Sequence, residues 1–170
     1  MSIEVLKTEI ATALSLAEAT LLSELAMGKA VLEVGAHYGF STVVLGQAAS
    51  SLVSVDNHRQ DGSVREGALP MYLWNLERHG LINEVTIIVA PSERALPLLR
   101  TDSFDLIFID GDHEYQAVKR DLKLARPLLR RNGRMAFHDY GPEHFGVKRA
   151  VDELCGGADQ IVDTLAVVQT

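Results

Sequence analysis

A single cysteine, Cys155, leaves no partner for an internal disulfide. No run is apolar over the roughly 20 residues that a membrane helix needs, because the nearest stretch, residues 10–27, carries Glu18 and Glu24. No basic region precedes an apolar run at the start, so a secretory signal is not expected and the cytoplasm is the expected location. Lys and Arg number 16 against 23 acids, a net charge of -7, and form no block interleaved with aromatics, which argues against a nucleic-acid partner. Repeats, low-complexity tracts and Pro/Gly/Ser linkers are also missing, so nothing marks a domain boundary. One domain over residues 1–170 follows, with residues 1–27 as a helical segment packed on it. With 47% hydrophobic and 23% charged residues the composition is that of a folded chain. None of this bears on oligomeric state.

What the chain does have is alternation. Short β-branched runs at Ala30–Val34, Leu52–Asp56, Val85–Ala90, Phe104–Asp110 and Arg134–His138 are nearly all apolar, as strands buried on both faces are. Stretches of helical period separate them at Ser41–Ala49, Glu66–His79, Ser92–Leu99 and Glu114–Arg130, the last kinked at Pro127 and closing at Asn132-Gly133. A further amphipathic segment covers Ile3–Met27 and ends at Gly28. A helix near Phe145–Leu154 and apolar Ile161–Val168, read as one or two edge strands, complete the chain. The expected fold is α/β: a Rossmann-like, doubly wound, mostly parallel sheet with helices on both faces and an antiparallel C-terminal edge.

The first strand runs into Val31-Leu-Glu33-Val-Gly35-Ala-His-Tyr-Gly39-Phe-Ser-Thr42, a glycine turn entering a helix. Open parallel sheets bind ligands beyond the carboxyl ends of their strands, where helix N-termini point N–H groups inward. A nicotinamide-type G-x-G-x-x-G starting at Gly35 would need glycine at positions 37 and 40, which are His37 and Phe40. The pattern is E-x-G-x-x-x-G, followed about 20 residues on by Asp56, an acid placed to hold a ribose diol. Ser92 follows the third strand, where an adenine amino group would need a polar partner. Packing alone accounts for one tight turn and a surface Asp; a ligand accounts for Glu33, Asp56, Ser92 and Asp110 ending four strands on one edge.

With Phe108-Ile-Asp-Gly-Asp-His-Glu-Tyr115 and Phe137-His-Asp-Tyr140, the chain resembles class I S-adenosylmethionine-dependent methyltransferases, in a small subgroup similar to sugar O-methyltransferases of the macrolide and aminocoumarin type and, more distantly, to catechol-type enzymes. The resemblance covers nearly the whole chain. It implies a seven-stranded sheet with a terminal antiparallel hairpin, Glu33, Gly35 and Gly39 around the methionine end of the cofactor, Asp56 on its ribose and Ser92 near adenine.

Asp110, Asp112 and His113 follow the fourth strand, and His138 and Asp139 the fifth. Neighbouring strands lie about 4.8 Å apart, so these ends converge, and carboxylates crowded there need a cation or a proton between them. Oxygen-rich sets suit magnesium or manganese, with Asp110 and Asp139 as ligands. In the relatives such an ion is held by acids at these two strand ends and binds the acceptor hydroxyls. Their second strand end usually gives two ligands side by side, whereas Asp139 here stands between His138 and Tyr140. The alternative is that Asp110 contacts the cofactor while Asp139 caps the loop or faces solvent. His113 reads either as the general base, with Asp112 as its rival, or as the first residue of the next helix. His37, His58, His79 and His144 show no ligand spacing and read as surface or pocket-wall residues, with His37 and His58 near the cleft. Residues 57–69, with Arg59, Gln60, Asp61, Gly62 and Arg65, form a long connection and a candidate lid. Met71–Trp74 reads as helical core or acceptor-pocket wall.

The resulting expectation is a cytoplasmic S-adenosylmethionine-dependent methyltransferase acting on a small-molecule hydroxyl, sugar or catechol-like, with magnesium or manganese assisting. A non-catalytic cofactor-binding protein on the same fold and an NAD-linked oxidoreductase are the rivals.

Overall fold

The computed structural model describes residues 2–60, 63, 64 and 68–170. In chain order these form α1 (Ile3–Glu9), α2 (Leu16–Ala26), β1 (Ala30–Val34), α3 (Phe40–Ala48), β2 (Ser51–Asp56), β3 (Arg59–Gln60), β4 (Ser63–Val64), α4 (Ala68–Arg78) and β5 (Val85–Val89). There follow α5 (Ser92–Ala95), β6 (Phe104–Ile109), α6 (Tyr115–Ala125), β7 (Leu129–Phe137), α7 (Phe145–Cys155), β8 (Gln160–Val162) and β9 (Leu165–Gln169). The main sheet has seven strands in the order β5-β2-β1-β6-β7-β9-β8. β5, β2, β1, β6 and β7 pair in parallel, while β9 runs antiparallel between β7 and β8. This is the doubly wound, mostly parallel sheet with an antiparallel C-terminal edge that the alternation predicts.

Two cores enclose the sheet because alternate side chains of every central strand point to opposite faces. Val31, Leu106, Phe108 and Ala136 pack with Leu22, Val43 and Tyr72 of α2, α3 and α4. Leu32, Ile107, Met135 and Phe137 pack with Leu96, Val118, Leu122 and Val151 on the other side. The chain winds outward from β1 in one direction and from β6 in the other, so the loops after these adjacent strands part over a crevice.

Two boundaries depart from the sequence reading. The segment read as one helix over Ile3–Met27 is two, because Ser15 and Glu18 form a reciprocal capping box that starts α2 afresh. The helix expected to reach Asn132-Gly133 ends as an α-helix at Ala125; Pro127 lies in a 3-10 turn over Arg126–Leu128 rather than at a kink. Asn132 and Gly133 fall inside β7, where the pairing register with β6 shifts between Phe104 and Leu106. Asn132 has a φ of 63°, and a Cβ on Gly133 would come within 2.7 Å of the Leu129 side chain. Ile161–Val168, read as one or two edge strands, lies in a hairpin of two strands turning at Asp163, as expected.

Of the candidate lid, residues 57–60, 63, 64, 68 and 69 are described and include the small β3–β4 ladder. Positions 61, 62 and 65–67, with Asp61, Gly62 and Arg65, lie outside the described residues. In the Met71–Trp74 cluster only Tyr72 is fully buried; Met71, Leu73 and Trp74 are exposed on α4.

Candidate active site

The glycine turn is built to let two loops touch. Gly35 has a φ of 92°, and a Cβ there would lie 2.2 Å from the backbone oxygen of Asp110, a separation no side chain tolerates. The neighbouring backbone is tied across the strands, with Gly35 N–H donating to Val55 O and Asp110 N–H donating to Val34 O. Gly39, at φ 91°, is the left-handed residue before α3, and a Cβ on it would press against the Tyr72 ring at 3.0 Å. Asp56 closes the arrangement. Its Oδ2 accepts the N–H groups of Ala36 (2.7 Å) and His37 (2.8 Å), and its Oδ1 accepts that of His58 (2.6 Å). The acid read as the ribose ligand therefore also fixes the glycine turn.

Glu33 is placed otherwise than a ligand-facing acid. Strand alternation turns it beneath the turn, where it is fully buried. Oε1 accepts from the Ser41 hydroxyl, and Oε2 from those of Thr42 and Ser54, each at 2.6 Å. Burial raises its pKa, with Asp56 adding to the effect, and the three hydroxyls do not offset them: the carboxyl is pushed up to about 7. With no surface left for a cofactor, Glu33 acts by joining β1, β2 and α3 under the turn. Ser92, after β5, donates to buried Asp121 Oδ1 of α6 at 2.6 Å, and burial pushes that carboxyl up.

The second constellation assembles tightly. Ile109 and Phe137 are register partners, so Asp110 and His138 leave the sheet side by side. Asp139, at φ 60°, receives three imidazoles. His113 Nε2 lies 2.8 Å and His138 Nδ1 3.2 Å from its Oδ2, and His144 Nε2 3.5 Å from its Oδ1. The His113 and His144 rings stand 4.5 Å apart. Asp110 Oδ1 is 3.3 Å from His138 Nδ1, while His138 Nε2 faces Glu18 Oε2 at 3.4 Å. Asp112 turns away to accept the Glu114 N–H at 2.9 Å.

Charge follows from this packing. Burial works against an imidazolium at His138, but Asp110, Asp139 and Glu18 prevail and push its pKa up to about 12. Burial also raises Asp139, yet His113 and His138 hold it well below the usual carboxylate range. Asp110 is shifted upward, chiefly by burial, with Asp139 adding to it. The hydrogen bond to Asp139 raises His113 in spite of partial burial. Glu18, disfavoured as an anion by burial, is brought down to about 2 by His138 and by donors from Ser15 and Thr164.

Whether a divalent cation suits this place is decided by the donors. Asp110, His138 and Asp139 offer ligand atoms that all lie within 4.8 Å of one another. His138 Nδ1 is buried without a well-aligned hydrogen bond, although both carboxylates stand 3.2–3.3 Å away. Ligands at adjacent corners of an octahedron with bonds of about 2.1 Å are about 3.0 Å apart, close to the spacing of His138 Nδ1 from each carboxylate. His138 stands beside Asp139, where the sequence pattern leaves one donor position open.

Sequence reasoning missed the parts played by Glu18, His138 and His144. The S-x-x-E signal of Ser15–Glu18 marks a helix start and carries no hint that the acid reaches the end of β7. His144 stands at no ligand spacing from another histidine and meets His113 only through the fold.

A model of a methyltransferase domain matches residues 32–140, from the first strand through Tyr140. The chain belongs to this methyltransferase family. Catechol O-methyltransferase of Mycobacterium tuberculosis is 32% identical over 111 residues, 62% of this chain and 47% of that protein. The chain thus spans about half the length of that curated relative. The O-methyltransferase from Bacillus cereus, solved in complex with S-adenosylhomocysteine, superposes with a TM-score of 0.73 at 19% identity, over 99% of this chain and 90% of that one. TomG from Streptomyces achromogenes, an O-methyltransferase solved with S-adenosylmethionine, gives 0.73 at 20% identity over 99% and 89%. At these identities the likeness is one of fold. The matched stretch of the methyltransferase domain contains the glycine turn and Asp110, His113, His138 and Asp139, while Glu18 and His144 lie outside it. Among the described residues no helix is long and apolar enough to cross a membrane.

Proposed function

We propose that this chain transfers the methyl group of S-adenosylmethionine to a hydroxyl oxygen of a small molecule, catechol-like or a sugar. The observation that carries the reading is the contact of the Gly35 turn with Asp110: it sets the cofactor crevice against the acid–histidine cluster inside a methyltransferase domain. The cofactor's methionine end lies along Gly35 and Gly39 and near Asp110, its ribose diol at Asp56 and its adenine by Ser92. Glu33 supports the turn from below. Asp56 Oδ1 accepts one N–H only and keeps capacity for a ribose hydroxyl.

In the reaction the acceptor O–H bond breaks, a new O–CH3 bond forms and the S–CH3 bond breaks, its electron pair leaving on sulfur as S-adenosylhomocysteine. The sulfonium is already activated, so positioning and proton removal carry the catalysis. His113 is the general base at Nδ1, and Asp139, which accepts from Nε2–H of the same ring, orients it and stabilises the imidazolium it becomes. Asp112, already accepting the Glu114 N–H, is the lesser candidate. A divalent ion held by Asp110, His138 and Asp139 would supply positive charge beside the acceptor oxygen.

The test is acceptor-dependent release of S-adenosylhomocysteine from S-adenosylmethionine with catechols and nucleotide sugars. Release that rises with one of these acceptors is expected. Cofactor binding without release for any acceptor would make the protein a cofactor binder only, and absence of cofactor binding would overturn the reading.

A further inference from the structure

Glu18 is a buried acid, 2% exposed, on a helix outside the glycine turn and outside both acid-bearing strand ends. A capping-box glutamate normally stands at the surface, because its task is met by accepting one backbone N–H. Here Oε2 accepts the Ser15 N–H at 2.7 Å, and Oε1 accepts both the N–H and the hydroxyl of Thr164, each at 2.8 Å. These bonds fix the carboxylate from two distant parts of the chain, α2 and the β8–β9 turn. What it then faces is His138 Nε2 at 3.4 Å, on a ring that is 3% exposed. Burying a carboxylate is costly unless it is paired, and capping does not require the burial.

The other ring nitrogen explains the arrangement. His138 Nδ1 points between Asp110 Oδ1 and Asp139 Oδ2, at 3.3 and 3.2 Å, and neither it nor Nε2 has a well-aligned hydrogen bond. Both acids are partly open to solvent, so an ion can reach the group from the crevice. A buried carboxylate behind one imidazole nitrogen, with two acids in front of the other, is how proteins orient a metal-binding histidine.

We propose that Glu18 is a positioning residue that holds His138 with its Nε2–H turned inward, so that Nδ1, giving up its proton when an ion binds, joins Asp110 and Asp139 as the third ligand of a divalent transition ion. This rests on the reading above that an ion is held at this place. A nitrogen ligand changes which ion is preferred. Magnesium binds through oxygen and keeps its water, whereas manganese, iron, cobalt and zinc gain from imidazole. The site is accordingly selective for this second class over magnesium.

The experiment is calorimetric titration of the metal-stripped full chain with manganese, cobalt and magnesium, alongside thermal melting with each ion. Manganese or cobalt should bind at least tenfold more tightly than magnesium and raise the melting temperature by mass action. Glu18→Gln, which preserves a capping-box partner, should weaken manganese binding by roughly 10–100-fold, the usual cost of losing such a support. His138→Asn should narrow the preference over magnesium. Leu122→Ala, a core truncation on α6 away from Glu18 and the two strand ends, is the control for stability: it should lower the melting temperature while the metal preference stays. Magnesium bound as tightly as manganese, or manganese affinity unchanged in Glu18→Gln, would overturn the proposal. So would absence of bound metal, and in that case acceptor-dependent methyl transfer would show that the methyltransferase reading stands without it. Metal binding with no methyl transfer would separate the two in the other direction.

Discussion

Replacing Glu33 by glutamine should make the protein's stability less sensitive to pH, and the size of the change can be worked out. The glutamate titrates near pH 4.5 when exposed and at about 7 in the fold, where burial outweighs the hydroxyls of Ser41, Thr42 and Ser54. Between these values the folded state holds a proton that the unfolded state has released, so stability falls as pH rises through the window. At about 1.4 kcal/mol per pH unit the loss is about 3 kcal/mol, complete above pH 7 and absent below pH 4.5. A glutamine at this position cannot ionise, yet its amide oxygen can accept from Thr42 and Ser54 while its NH2 donates to the Ser41 oxygen. Urea unfolding of both proteins at half-unit steps from about pH 5 to 8 gives the difference between them, in which other titrating groups cancel. That difference should move in favour of glutamine by about 3 kcal/mol as pH rises. A difference that stays constant, or moves toward glutamate, would mean that the hydroxyl cage stabilises a charged Glu33 and would refute the reasoning.

Asp56→Ala removes an acceptor of three backbone N–H groups, and with it the ribose partner proposed above. Cofactor binding should weaken by at least about 1.5–3 kcal/mol by calorimetry, in a variant first shown to be folded. Gly35→Ala places a Cβ 2.2 Å from the Asp110 oxygen at a φ of 92°, so the loops must separate; a clearly lower melting temperature and loss of cofactor binding are expected. His113→Ala should lower turnover roughly 10²–10⁴-fold with cofactor affinity nearly intact. Because Asp139 raises His113, the wild-type rate should climb through a pKa above the ordinary histidine value, and the variant should lack that limb. Asp139→Asn should shift this limb to lower pH, since the imidazolium loses its main support.

The sheet was legible because each central strand is a short apolar run, and such runs have few alternatives once helical segments lie between them. The strand-end positions of Glu33, Asp56 and Asp110 could be read for the same reason. What they do there could not, because period 2 gives the face a residue takes but not its neighbours. Glu33 points into hydroxyls supplied by α3 and β2, and Asp56 into amides of the turn it was expected to complement. The end of α6 was misplaced because Asn-Gly is a strong stop signal wherever it occurs, and here it serves a bulge in β7. Glu18 and His144 were hidden for a third reason: Glu18 meets His138, and His144 meets His113, through packing between distant segments that no local pattern encodes.

Mass spectrometry of an acceptor after incubation with S-adenosylmethionine bearing a deuterated methyl group tests the central claim most directly. The trideuteromethyl group should appear on a hydroxyl oxygen of the acceptor, with S-adenosylhomocysteine formed in equal amount and both products sharply reduced in His113→Ala. Label on carbon or nitrogen, or labelled oxygen formed equally well by His113→Ala, would contradict the assignment of oxygen as the target and of His113 as the base.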